Sequence, residues 1–222
     1  MVNRKDYNQI DLKSEVNKKI NSLDITRNNR INMATRYTNY SEKWKFVFLC
    51  LNIEAIFFIV LSLTNNSGIF EKTHFTIYSS AFSIYVILLQ YHINELNYSG
   101  RALKADYHQL ELEDQILKLK NIMLSLNNKD TNLELLHEKY NFIMNNYQTT
   151  LKNNENHSAI DRKRNEFLII KDEIINNKSI GFTKKQFLKI YYNCDFSIHK
   201  ITIYINYFVI LLVLIILIGG VL

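Results

Sequence analysis

Residues 46–63, FVFLCLNIEAIFFIVLSL, are the first of three apolar stretches that decide the fold of this chain. The second is FTIYSSAFSIYVILLQYHI (75–93), and the third is ITIYINYFVILLVLIILIGGVL (201–222). A helix needs about 20 mostly apolar residues to cross a hydrocarbon core about 30 Å thick. The first and third stretches meet this requirement. The second is softer, since it contains three serines and Gln90, and it is also compatible with a buried helix of a soluble domain.

The composition of the 222 residues favours helices throughout. Proline is absent and glycine occurs only 5 times, so almost nothing interrupts a helix. The residues are 47% hydrophobic and 22% charged, and the two kinds are strongly segregated along the chain. We therefore expect an all-α integral membrane protein with an N-terminal transmembrane hairpin, a cytoplasmic helical bundle and a C-terminal third transmembrane helix.

The distribution of Lys and Arg predicts how the chain crosses the membrane. Many basic residues precede the first apolar stretch, whereas the short link between the first two has only Lys72. Because cytoplasmic segments are enriched in Lys and Arg, the N-terminus is predicted on the cytoplasmic side of the membrane and the C-terminus on the outer side. A signal peptide is disfavoured, since the chain is polar up to residue 45. The predicted segments are 1–43 (N-terminal amphipathic helix), 44–95 (hairpin), 96–199 (cytoplasmic domain) and 200–222 (third crossing).

The segment after the hairpin predicts long cytoplasmic helices. A helix from about Glu95 to Leu126 carries two separate apolar rows: Leu112, Ile116, Leu119, Met123 and Leu126 form one, and Leu96, Leu103, Leu110, Leu117 and Leu124 form the other. This helix should lie in the middle of a bundle, or contact its own subunit on one side and another subunit on the other. Further helix starts are predicted at Thr131 (with Glu134), near Ser158, and at Thr183 (with Gln186). Another helix, from Asp24 to Lys45, should run into the first crossing.

Glu54 is the most informative single residue, because it lies near the middle of the first crossing with Asn52 two residues earlier. A charged carboxylate at mid-bilayer costs about 2.5–3.5 kcal/mol on insertion scales. One interpretation is a pore-lining or gating carboxylate, with Asn52, Ser79 and Ser83 beside it. The other is a protonated or hydrogen-bonded group packed against those serines, Ser80 or Asn206, the serines serving close helix packing.

The sequence carries no recognisable motif for catalysis or for metal or cofactor binding, so an enzyme is disfavoured. The six histidines form no HExxH, and no His/Cys grouping has zinc spacing. His157 and Asp161 are four residues apart, which favours a local hydrogen bond over a catalytic pair. The two cysteines, Cys50 and Cys194, fit structural burial in a reducing compartment. The net charge of +6 suits an anionic membrane surface, and without a compact Lys/Arg block direct nucleic-acid binding is disfavoured.

Three short segments around the hairpin resemble a known family. RINMATRY (30–37) leads into the first crossing, GRALKADYH (100–108) follows the hairpin directly, and ENHSAID (155–161) lies downstream. In this order they resemble the SLATT proteins, two-transmembrane effectors associated with SMODS nucleotidyltransferases and SLOG nucleotide sensors. The resemblance covers about residues 20–175. The third crossing is a departure, and it resembles a subgroup with an added C-terminal membrane segment encoded beside reverse transcriptases.

The resemblance implies an effector of a bacterial anti-phage or conflict system that perforates or depolarises the inner membrane, as in abortive infection. Its implied motif residues are Arg101, Tyr107 and His108 below the membrane, and Asn156, His157 and Asp161 in an ordered turn against that helix. We expect a homo-oligomer triggered by a nucleotide second messenger or by a partner reverse transcriptase or nucleotidyltransferase. The alternatives are a pore-free membrane scaffold that recruits or regulates such a partner, an ordinary transporter, and a tethered enzyme. No cofactor is expected.

Overall fold

The computed structural model describes residues 11–63, 72–128, 132–176, 187, 191, 195 and 197–221. Six α-helices run through these residues, and no β-strand is found in them. In chain order they are α1 (Leu12–Leu63), α2 (Lys72–Leu96), α3 (Tyr98–Leu126), α4 (Leu133–Asn153), α5 (Ala159–Asn176) and α6 (Ile198–Val221). The all-α class expected from the lack of proline and the scarcity of glycine is confirmed.

Helix α1 is continuous over 52 residues, which is about 78 Å at 1.5 Å per residue. The predicted N-terminal helix therefore runs into the first apolar stretch without a break, although it begins at Leu12 and not near Asp24. One face of α1 is buried at every seventh residue: Val16, Leu23, Arg30, Tyr37, Trp44, Leu51 and Phe58. A seven-residue repeat keeps its members on one side of a helix, so α1 packs through a single face along most of its length.

The chain forms two compact units, and α1 contributes to both. The first unit contains Met1–Thr35 and Ala102–Cys194, and the second contains Arg36–Arg101 and Asp195–Leu222. In the first unit, α1, α3 and α4 share one apolar core, whose buried members are Leu12, Val16, Leu23, Leu112, Ile116, Leu119, Ile122, Leu136 and Ile143. The first predicted apolar row of α3 is therefore confirmed as a core face.

The second predicted row of α3 lies on the surface of the chain. Leu103, Leu110, Leu117 and Leu124 are 54%, 57%, 51% and 66% exposed, respectively. The expectation that α3 lies in the middle of its own bundle is therefore wrong, because α1 and α4 pack against the other face of α3 and leave this row exposed. The other expectation, an apolar face left for a second subunit, is compatible with this exposure.

Two helix boundaries differ from the sequence-based expectation. The helix predicted from Glu95 to Leu126 is interrupted at Asn97, whose φ of 42° lies in the left-handed region that Asn tolerates better than most residues. Asn97 caps α3, since its side-chain oxygen accepts from the amide of Gly100 at 3.1 Å. A side chain at Gly100 would meet that capping group, because an added Cβ would lie 2.6–2.8 Å from the Asn97 side chain.

Helix α4 is capped by Asn132, not by Thr131 as predicted. The Asn132 side chain accepts from the amide of Glu134 at 2.9 Å, so an Asn with the same capping chemistry occupies the position after the expected one. Thr131 itself, and the predicted cap at Thr183 and Gln186, lie outside the described residues. The helix predicted near Ser158 begins at Ala159.

The second unit contains the membrane-directed helices. Two helices of the described chain are long and apolar enough to cross a membrane, α1 and residues Ile198–Ile218 of α6. Only 22% and 17% of their apolar windows are buried, respectively, whereas the core helix of a soluble protein is mostly buried. Their outer surfaces are apolar, as lipid requires. Helix α2 does not meet the same test, so the second crossing stays a prediction.

Candidate functional site

The carboxyl group of Glu54 lies inside the second unit. Glu54 is 4% exposed, and neither carboxylate oxygen has a hydrogen-bond partner among the described residues. It shares its buried face with Leu51, Ala55 and Phe58, whereas Asn52 is exposed. Residues two apart on a helix point about 200° apart. The structure therefore does not bring Asn52 to the same side of α1 as Glu54.

The polar residues expected around Glu54 are satisfied on their own helices. The hydroxyl of Ser83 donates to the Ser79 carbonyl, and that of Ser80 donates to the Thr76 carbonyl, both at 2.9 Å. Ser79 is buried, Ser83 is half-buried and Ser80 is exposed. The carboxyl of Glu54 therefore has no hydrogen bond to these serines among the described residues, and its packing against them as a protonated group stays a prediction.

Asn206 is a second buried polar residue of this unit. Its side-chain oxygen accepts from the Tyr85 hydroxyl at 2.7 Å, and its amide group donates to the Thr202 carbonyl at 2.9 Å. The Tyr85 contact links α2 to α6, so a hydrogen bond between polar side chains joins two of the apolar helices. Asn206 therefore bonds to Tyr85 and Thr202, and neither of these hydrogen bonds involves Glu54.

A polar turn in the first unit holds the ENHSAID segment against α1. Arg30, which is almost fully buried, donates to the backbone carbonyl of Glu155. The Asn32 amide group donates to the Asp161 carbonyl at 3.1 Å, and the Asn29 amide lies 3.3 Å from His157 Nε2. Three α1 side chains within one helical turn thus fix a segment more than 120 residues away in sequence.

Asp161 starts α5. Its fully buried carboxylate accepts from both the amide and the hydroxyl of Ser158, at 2.9 and 2.8 Å. Ser158 precedes the first helical residue and Asp161 is the third, so the bond from the Ser158 amide to the Asp161 carboxylate is one half of a capping box. The predicted pairing of His157 with Asp161 is wrong as a hydrogen bond, since each has a different partner. The predicted ordered turn is present, and the α1 side chains are its main hydrogen-bond partners.

His108 is buried near Arg30, the residue that binds this turn. It is 1% exposed, and both ring nitrogens lack a hydrogen-bond partner among the described residues. Burial, and secondarily the nearby Arg30 guanidinium, lower the pKa of His108 to about 4. Burial also lowers the pKa of His157, and Arg30 adds to this effect while Asp161 opposes it. The imidazole of His108 is therefore neutral at pH 7. The other motif residues, Tyr107 and Asn156, are exposed.

An aromatic and charged cluster in the second unit was missed by the sequence analysis. The Arg101 guanidinium lies 4.2 Å from the centre of the Tyr37 ring and donates to the Tyr37 hydroxyl, and Arg36 lies 4.5 Å from the same ring. Cations within about 6 Å of a ring centroid are attracted by its negative face. The available signal was the tyrosine spacing along α1, Tyr37 and Tyr40, on its buried face.

The same cluster extends to the start of α6. The Tyr40 hydroxyl contacts the carboxylate of Asp195 and, at 2.8 Å, the hydroxyl of Ser197. Burial alone would raise the pKa of Asp195, but hydrogen bonds from Tyr40 and Ser197 outweigh it and hold that pKa below its usual range. Tyr98 completes the cluster through a 2.7 Å contact of its hydroxyl with His199 Nδ1. Among the described residues, no group of three His, Cys, Asp or Glu side chains could hold a metal ion.

Helical architecture and two exposed apolar helices define this chain as an all-α membrane protein. A model of the family described as SMODS and SLOG-associating 2TM effector domain family 5 matches residues 12–221, and the chain belongs to that family. The match confirms the SLATT resemblance and corrects its extent, because it includes α6 and not only residues 20–175. The family comprises two-transmembrane effectors of conflict systems, with no known enzymatic activity. No curated protein and no solved structure matches the chain.

Proposed function

We propose that this protein is a triggered effector of an anti-phage conflict system that oligomerises and permeabilises the inner membrane. The observation that carries the proposal is the enclosed, unpartnered carboxyl of Glu54 in the first crossing. An ionisable group is expensive in a membrane helix and normally faces a partner or a water-filled path. In the open state, helices around Glu54 separate enough to admit water and ions to this carboxyl.

The exposed leucine row of α3 supports assembly into a homo-oligomer. Leu103, Leu110, Leu117 and Leu124 recur every seven residues over about 31 Å of helix. With Tyr107, Asp114 and Asn121, all exposed, they form the alternating four- and three-residue spacing of a coiled-coil seam. Copies in one membrane share their orientation, so a closed assembly has its axis along the membrane normal and pairs α3 with α3 in parallel.

The trigger acts on the first unit in this proposal. The turn of residues 155–161 is fixed by side-chain bonds from α1, and α1 also carries Glu54. A nucleotide signal or a partner enzyme that displaces the turn would thus act on the helix that enters the membrane. Taking the open state from about 1% to 99% requires a bias of about 5.5 kcal/mol, which binding energy summed over several subunits can supply.

The test is ion release from liposomes together with membrane potential in cells that carry the native neighbouring genes. Wild type should release ions and depolarise cells on triggering. Glu54→Leu should reduce this, whereas Asn52→Leu, on the opposite side of α1, should leave it close to wild type. Tight liposomes with folded, triggered wild-type protein would overturn the pore.

A pore-free scaffold is the second candidate, and the same exposed leucine row favours it. That row would then bind a soluble partner such as a reverse transcriptase or nucleotidyltransferase. A scaffold predicts that Leu117→Glu abolishes partner capture while the triggered membrane stays tight in wild type. Ion release by wild type decides against it.

A further inference from the structure

A cleft in the second unit lies where the predicted membrane surface meets α1, α2 and α3. It has a volume of about 180 Å³ and is lined by Ser41, Trp44, Lys45, Phe48, Ile93, Asn94, Asn97, Tyr98 and Ser99. The cleft therefore sits between the beginning of the first predicted crossing at residue 46 and the end of the second at residue 93. None of the residues in the membrane-effector proposal lines it.

The lining changes from polar to apolar in the direction of the bilayer. Phe48 and Ile93, the two lining residues within the predicted crossings, are apolar. The lining residues outside the crossings include Lys45 and the hydroxyl and amide side chains of Ser41, Asn94 and Ser99. No carboxylate is among the described lining residues. This arrangement matches a molecule with an anionic head and an apolar body.

The indole of Trp44 supplies an independent indication of a ligand. Trp44 is 2% exposed, and its Nε1 is buried without a hydrogen-bond acceptor among the described residues. An indole N–H can only donate, and a buried donor without an acceptor is destabilising. The ring itself is held in place by stacking on Phe48, with ring centroids 5.4 Å apart. An acceptor inside the cleft would remove this cost.

The first turn of α3 adds donors at the same place. Asn97, Tyr98 and Ser99 begin this 29-residue helix and line the cleft. The Gly100 amide is already bound by the Asn97 side chain, but the dipole of α3 still favours an anion at this end of the helix. The Tyr98 hydroxyl is already in contact with His199, so Tyr98 contributes its ring and backbone. The cleft thus combines a cation, an orphaned donor and a helix N-terminus.

We propose that this cleft binds the phosphate group of an anionic phospholipid, with Lys45 and Trp44 as its donors and with Phe48 and Ile93 against the start of the acyl chains. The phosphate oxygens accept from the Trp44 indole and from the Lys45 ammonium. Binding would hold the ends of the two predicted crossings together at the membrane surface. The site is independent of any pore, so it can be tested whether or not the protein conducts ions.

Trp44 is the single tryptophan of the 222 residues, so intrinsic tryptophan fluorescence reports on this cleft alone. The full chain in a nonionic detergent is titrated with a short-chain phosphatidylglycerol, the matching phosphatidylcholine, and sodium phosphate. We expect a saturable change in Trp44 emission with phosphatidylglycerol, and a weaker or absent one with the other two.

Two charge variants distinguish a specific binding site from nonspecific electrostatic attraction to the anionic lipid. Lys45→Gln should weaken phosphatidylglycerol binding about five-fold, the value of one lysine near an anionic surface. Lys43→Gln removes the same charge from a residue that does not line the cleft, and it should leave the affinity unchanged. Equal weakening by both variants would mean surface attraction only and would overturn the proposal.

A substitution of Trp44 removes the N–H donor and the fluorescent reporter together, so its effect on lipid binding is measured by mass spectrometry. Trp44→Phe keeps an aromatic ring against Phe48 but removes the N–H, and native mass spectrometry should then show about ten-fold less retained phosphatidylglycerol, as expected for a hydrogen bond to a charged group. Wild-type retention in this variant would overturn the assignment of Trp44. A response to sodium phosphate as strong as that to the lipid would assign the cleft to a soluble phosphate and overturn the lipid.

Discussion

His108 should make the stability of the first unit depend on pH. Its ring is 1% exposed, and neither nitrogen has a hydrogen-bond partner among the described residues. Protonation would place a second buried cation beside Arg30, whose guanidinium already binds the Glu155 carbonyl. The folded protein therefore resists protonation, and burial and Arg30 lower the pKa of His108 from 6.5 to about 4.

The direction in which pH changes the stability follows from the pH at which the folded and unfolded states each bind the proton. Below pH 6.5 the unfolded chain binds a proton at this position, while the folded chain does so only near pH 4. The free energy of unfolding is therefore highest above pH 6.5 and falls as pH decreases, by about 1.4 kcal/mol per pH unit. The loss should reach about 2 kcal/mol at pH 5 and about 3 kcal/mol near pH 4.

The measurement is thermal unfolding of the protein in detergent, followed by far-UV circular dichroism between about pH 7.5 and pH 5. A loss of about 2 kcal/mol corresponds to a decrease of about 4–8 °C in the melting temperature for a domain of this size. His108→Leu should flatten much of this dependence and be close to neutral at pH 7.5, because it also removes two unsatisfied buried nitrogens. His157, whose pKa burial also lowers, should contribute to the remainder.

The control variant is His137→Leu, at an exposed histidine of α4. It should keep the full wild-type dependence on pH. A His108→Leu protein that loses as many degrees between pH 7.5 and pH 5 as wild type would refute the argument, because the proton would then be taken up elsewhere. A wild-type melting temperature that is constant over this interval would refute it as well.

Three further substitutions test other contacts. Asp161→Ala removes the acceptor of two hydrogen bonds at the start of α5 and should lower the free energy of unfolding by about 2–4 kcal/mol; chemical denaturation should show less than about 0.5 kcal/mol for Asp114→Ala, whose partner Lys118 is solvent-exposed. Leu117→Glu should shift the oligomer toward monomer in mass photometry without loss of helix content. The control Leu133→Glu, at an exposed leucine of α4, should leave the oligomer unchanged. An unchanged oligomer in Leu117→Glu would show that α3 is not part of the interface. Asn97→Ala loses a cap and forces a left-handed residue, at about 1–2 kcal/mol; Asn97→Gly keeps the favourable φ and should cost less, and equal melting temperatures of the two would contradict the role of φ.

Local signals were sufficient where a helix is determined by its own residues. The long apolar runs and the absence of proline predicted α1 and α6, and the spacing of Leu112, Ile116 and Leu119 predicted the face of α3 that is buried. The start of α4 was missed by one residue, since Thr131 and Asn132 are both good caps and only the path of the chain selects between them. The break at Asn97 was missed because no proline or glycine stands at that position.

The sequence alone could not predict which residues, far apart along the chain, come into contact. Arg30 is charged, and its burial against the Glu155 carbonyl depends on the return of the chain 125 residues later. The separation of Asn52 from Glu54 is a different case, because residues two apart point about 200° apart on any helix, and it follows from their spacing alone.

Sequence by itself therefore determined that this chain is helical, enters a membrane and belongs among the SLATT effectors, because apolar length and short motifs are local properties. Tertiary structure alone decided that the second leucine row of α3 stays exposed, that His108 is buried near Arg30, and that the Trp44 indole has no acceptor among the described residues. Each of these depends on which surfaces meet when α1 packs against helices from the rest of the chain, and that is a property of the folded whole.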